Sequence, residues 1–101
     1  MNNSFLIIAD VILFKAAERA FKFPIKNNIR VSIWFTDEPA SRPSEFIVTT
    51  QIITIDTLTR LKIEIAKWNL SGKKIHPNSK FFIGPYCNEI GEGIISEVLE
   101  S

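Results

Sequence analysis

The sequence predicts an all-β domain, a sandwich or barrel of six short strands. Three observations predict it. Leu61-Lys62-Ile63-Glu64-Ile65 alternates strictly between apolar and charged side chains, which is the period of a half-buried strand. Residues 45–55 are rich in Ile, Val and Thr, whose branched side chains fit a pleated surface. Turn signals separate the apolar runs at short intervals.

Taken in order, the first run is residues 5–14. It is ten residues long and contains Asp10, so it is too short and too polar to cross a bilayer. Met1-Asn2-Asn3-Ser4 before it and Lys15 after it do not frame a secretory leader. It reads as a buried strand that is apolar on both faces. Its outward set, Leu6, Ile8, Ile12 and Phe14, needs a cover: a loop, a second copy of the chain, or a partner.

Residues 15–20 are good helix formers stopped by Pro24. One or two helical turns would put Lys15, Arg19 and Lys22 on one side. In the second strand, residues 29–35, Ile29, Val31, Ile33 and Phe35 face inward, while Arg30, Ser32 and Trp34 face outward. Residues 37–44 carry Pro39 and Pro43, which argues against a central strand there. The third strand follows at 45–55 and the fourth at 61–65. Trp68 lies just past the fourth strand, and Ser71-Gly72 and His76-Pro77-Asn78-Ser79 mark turns. The fifth strand is 80–83 and the sixth 94–99. Gly91-Glu92-Gly93 precedes a strand rather than a helix, so it marks a bulge or a close backbone approach, not a dinucleotide site.

The bulk numbers fit one domain over residues 1–101. The chain has 46% apolar residues, and four Gly and five Pro, a globular rather than disordered composition. Cys87 is the only cysteine, so no intrachain disulfide forms. Cys87 with His76, the only histidine, falls two ligands short of a zinc site. The expected location is cytoplasmic, with no membrane association.

Chemistry finds little foothold. No glycine-rich loop ends in Lys-Ser or Lys-Thr, which removes the usual phosphate cradle. The carboxylates Asp37-Glu38 and Glu89 with Glu92 are loop or strand-start residues that solvation accounts for. The expectation is no enzyme and no cofactor. Net charge is only +1, against a dedicated nucleic-acid binder, yet the charge is uneven. Lys15, Arg19, Lys22, Lys26 and Arg30 stand against Glu18 alone between residues 15 and 30, and the tail carries Glu89, Glu92, Glu97 and Glu100. The first group would serve as RNA contacts. Trp34 beside Arg30 suits base stacking or a protein hot spot, or it lies beneath a loop.

Ala9-Asp10-Val11-Ile12-Leu13-Phe14-Lys15, Pro24-Ile25, Ile29-Arg30 and Ile33-Trp34-Phe35 resemble the opening strands of the C-terminal domain of elongation factor Tu. Phe81-Phe82-Ile83 and residues 90–99 are similar to that domain's closing strands, and together the two stretches cover roughly half of the 101 residues. The resemblance implies a closed, six-stranded antiparallel barrel. In the family this domain contacts the GTP-binding domain, the T-stem of aminoacyl-tRNA and the exchange factor. The loops depart from the pattern: Arg19-Ala20-Phe21 stands where the family has Gly-Gly-Arg, and Gly84-Pro85-Tyr86-Cys87-Asn88 stands where it has two arginines. Arg30 keeps a charged family position. Kept strands and changed loops describe a scaffold with a different task.

The functional expectation is a non-catalytic binding module that engages a protein partner through Leu6, Ile8, Ile12, Phe14 and Trp34, with the translation machinery as a candidate setting. The alternatives are a tRNA- or RNA-binding barrel using Lys15, Arg19, Lys22, Lys26 and Arg30, and an immunity-type or self-associating structural protein that forms a homodimer.

Overall fold

A computed structural model describes residues 4–36, 41–67 and 75–100. Six strands alternate their side chains between a filled interior and the outside: β1 (Ser4–Leu13), β2 (Ile29–Phe35), β3 (Arg42–Ile47), β4 (Thr59–Ala66), β5 (Lys80–Ile83) and β6 (Gly91–Glu100). They close into an antiparallel barrel in the order β1-β4-β3-β2-β5-β6. Closure follows from β1, which pairs along its length with β4 on one side and β6 on the other. A ring of this kind leaves no unpaired edge along its paired strands.

Alternation sorts the two faces as expected. Ile7, Val11 and Leu13 from β1 meet Leu61, Ile63 and Ile65 from β4 inside, all essentially inaccessible to solvent. Phe46, Phe81 and Ile95 fill the remainder. Small barrels are packed through their centre rather than hollow, and here side chains occupy the space where a lumenal ligand would sit.

Gly91 and Gly93 make room for that packing. Gly93 pairs with Phe81 on one side and Val11 on the other, and a Cβ there would run into the Phe81 ring. The close-approach reading of this Gly-x-Gly is thus the observed one. The irregularities of β6 come later, where Ser96 and Leu99 have no opposite residue on β1. The extra residue at 96 lets Ile95 and Val98, three apart, both pack on the core.

Two elements differ from the sequence reading. β3 begins at Arg42, ahead of the expected start at 45, and includes Pro43; the prolines argued against a central strand there, and none runs through Pro43. Pro43 pairs with Ser32 of β2, and β3 meets β4 only from Ser44 onward. Proline therefore sits on a stretch with one neighbour, where a missing N–H breaks no second ladder. The strand predicted at 45–55 ends at Ile47. Thr49 N–H donates to the Gln51 side chain at 3.0 Å, turning the chain away. Ile53 then pairs with Ile25 by two backbone hydrogen bonds of 2.9 Å, so the β-branched stretch closes the barrel's end instead of lengthening its wall.

The segment after β1 is a 3-10 helix, Lys15–Arg19. At three residues per turn Lys15 eclipses Glu18 rather than Arg19, so the expected Lys15–Arg19–Lys22 face does not form. Expectations for Asp37-Glu38, Pro39, Trp68 and Ser71-Gly72 lie outside the described residues. Among the described residues no helix is long and apolar enough to cross a membrane.

Candidate functional site

The outward side of β1 is the most distinctive surface. The ladders place Leu6 between Glu100 and Glu64, Ile8 between Glu97 and Lys62, and Asp10 between Ile94 and Arg60. Ile12 pairs with Glu92 on the β6 side. The apolar side chains thus form a stripe one strand wide, flanked by long charged residues. Leu6, Ile8, Ile12 and Phe14 are half-buried, consistent with the aliphatic stems of those neighbours lying against them. Ile94, at 48% exposure, widens the stripe on the β6 side, and Leu58, at 66%, lies just before the Thr59 that pairs with Val11. Neither was among the expected surface residues. Ile94 was legible, since it precedes the inward Ile95. Leu58 was not, because it belongs to an irregular loop.

Asp10 interrupts the stripe. Arg60 grips it with both arms of its guanidinium, Nε to Oδ1 at 2.8 Å and Nη2 to Oδ2 at 3.1 Å. That hydrogen bonding, reinforced by the charge, holds the Asp10 carboxyl below the usual carboxylate range and raises Arg60. The stabilisation from a lowered carboxyl is complete above its ordinary value near pH ~4 and drains as pH falls through the folded value. Asp10→Asn is expected to lower the urea midpoint slightly at neutral pH, the pair being exposed. The gap from wild type should narrow below about pH 4. A gap independent of pH would show that the pair does not titrate with folding.

Trp34 points outward, as alternation predicts, but it is covered. Phe82 stacks on it with ring centroids 4.4 Å apart, and Tyr86 meets it edge-on at 5.0 Å. Of the readings offered for it, the loop-covered one describes its position. Its indole Nε1 is buried and has no hydrogen-bond partner among the described residues. Two strands separate β2 from β1 in either direction around the ring, so Trp34 lies across the barrel from the β1 stripe and is not part of it. Lys80 sits over the Phe82 ring at 5.2 Å and pairs with Glu92 at 3.4 Å.

The basic residues divide. Lys15, Arg19, Lys22, Lys26 and Arg30 are all exposed. Lys22 and Lys26 share a depression of about 270 Å³ with Phe21 and Asn27. Arg30 instead borders a shallow groove of about 390 Å³ lined by residues of β2, β3 and β4 and by Ser4 of β1. There the ladder sets Arg30 opposite Glu45 and Glu45 opposite Glu64. Of the five cations, Lys22 and Lys26 thus line one depression and Arg30 another.

One contact escaped the sequence reading. Ser79 Oγ lies 3.0 Å from His76 Nε2, and His76 Nδ1 lies 2.9 Å from the Pro77 carbonyl oxygen. A carbonyl beside Nδ1 requires Nδ1–H, which leaves Nε2 of the neutral ring to accept from the serine hydroxyl. Spacing of three residues could have revealed it. The pair sits on an exposed turn that Ser79 N–H also closes by donating to the His76 carbonyl at 3.1 Å, and locking that turn is what the geometry accounts for. Cys87 is exposed. No group of three or more metal-ligating side chains occurs among the described residues. No protein-family model matches the chain, and no curated protein matches it.

Proposed function

We propose that this chain is a non-catalytic binding module, akin to the C-terminal barrel of elongation factor Tu, that engages a protein partner through the outward face of β1. One observation carries the reading: a barrel already filled with its own side chains still carries the half-buried Leu6, Ile8 and Ile12 on the outward face of β1, beside charged residues of β4 and β6. An apolar centre within a charged rim is how protein interfaces are built. The closed six-stranded barrel is the fold that the family resemblance implies, and it supports the resemblance without naming a partner.

The test is affinity capture from the native lysate with wild type and Ile8→Lys side by side. A hot-spot side chain is worth about 2 kcal/mol or more, so the variant is expected to retain about a thirtieth of the captured protein. Equal capture by both would remove β1 as the binding face.

A second reading has its own observation: Lys22 and Lys26 flank one depression beside Phe21, an arrangement that suits a phosphate and a stacked base. RNA held there would give a gel shift with mixed tRNA that weakens steeply with salt. No shift at low ionic strength removes this reading.

A further inference from the structure

β1 is paired on both sides, so another chain can associate with it only through its outward face. The β1 face is asymmetric in charge. On its β6 side stand Glu97, Glu100 and Glu92, the last paired with Lys80, and on its β4 side Arg60 and Lys62 precede Glu64. The apolar stripe runs between them.

We infer that a second copy of this chain packs on this stripe, about a two-fold axis parallel to β1. The inference rests on the reading of the β1 face as a protein-binding surface. A two-fold along β1 exchanges left for right, so the Glu97 column of each copy comes over the Lys62 column of the other. A two-fold across β1 would lay acidic column on acidic column, which complementarity disfavours. In the first arrangement Ile8 and Ile12 meet their own counterparts, as an isologous contact requires. Asp10 meets its counterpart too, but each is already neutralised by the fork of Arg60 in its own chain. At Leu6 both flanks are acidic, Glu100 and Glu64, so the contact centres on Ile8 and Ile12 and opens toward Leu6. Ile94, exposed beside Asp10, extends the apolar area in both copies.

Sedimentation equilibrium of the full chain tests this. The expected mass is twice the 11.5 kDa of one chain. Ile8→Lys should give a monomer that circular dichroism shows to be folded, and Ile94→Lys on β6 should do the same if Ile8→Lys fails to fold. Lys62→Glu and Glu97→Lys should each weaken the dimer at least about tenfold, and the double exchange should restore it.

A dimer untouched by both lysine variants overturns the inference. So does a dimer that the double charge exchange fails to restore, which would mean a different axis. A wild-type monomer also overturns it, and lysate capture then separates the two failures. Capture that still depends on Ile8 leaves the face to a foreign protein and the functional reading intact, whereas capture indifferent to Ile8 removes both.

Discussion

Replacing Phe46 with alanine is expected to cost about 3–5 kcal/mol of folding stability. Phe46 is inaccessible to solvent and sits midway around the ring, paired with Ile29 on β2 and Ile63 on β4. Truncation removes its transfer free energy and leaves a cavity that the hydrogen-bonded wall cannot collapse to fill. Domains of this size have only about 5–15 kcal/mol in total, so the variant should lose roughly a fifth or more of its stability. Urea unfolding at neutral pH measures the loss. Ile47→Ala, one residue on and on the outward side, supplies the contrast, with a cost of about 1 kcal/mol or less for a half-exposed side chain. Equal losses at the two positions would contradict the assignment of inside and outside on β3.

The second large effect comes from adding atoms. Gly93→Ala would place a methyl group against the Phe81 ring, with the ring's Cε2 only 2.8 Å from the new Cβ. Phe81 has no exposed surface, so its ring cannot swing out to relieve the clash. The expected cost is about 3 kcal/mol, at the upper end of overpacking. Because the clash is with one side chain, Phe81→Leu made together with Gly93→Ala should cost less than the sum of the two single changes. Gly91→Ala behaves differently. Its Cβ would meet the Ile12 carbonyl oxygen at 2.5 Å, a backbone atom that no change at Phe81 moves, so Phe81→Leu should give it no relief. Strict additivity in the Gly93–Phe81 pair would contradict the packing described.

These two sites also show what could be foreseen from the chain alone. The alternation of Leu61 to Ile65 is complete enough to state each residue's face, and the structure agrees at every position. Gly91 and Gly93 pointed to a bulge or a close approach without saying to what, because Phe81 reaches Gly93 only through the β5–β6 pairing and the Ile12 carbonyl reaches Gly91 only through the β1–β6 pairing. The apolar outer side of β1 was visible as a list of residues. Its charged flanks were not, since Lys62 and Glu97 become neighbours of Ile8 only once the register is known. Pro43 correctly excluded a central strand but not a strand with one neighbour, so the start of β3 at Arg42 was not legible. The Ile- and Thr-rich run past Ile47 misled, because β-branched residues serve equally well in the isolated Ile25–Ile53 bridge. Trp34's direction followed from its parity, whereas its cover depends on Tyr86, far along the chain. The lysines at 22 and 26 and the arginine at 30 looked like one group in sequence and lie at two separate depressions.

Amide hydrogen exchange along β1 tests the closed ring on which both the filled interior and the outward stripe depend. Successive amides of a strand point to opposite neighbours, and β1 has β4 on one side and β6 on the other. The expected result is slow exchange at every amide from Ile7 to Ile12, odd and even positions alike. Alternating fast and slow amides over that stretch would mean that one side of β1 is open to water, and would contradict the barrel.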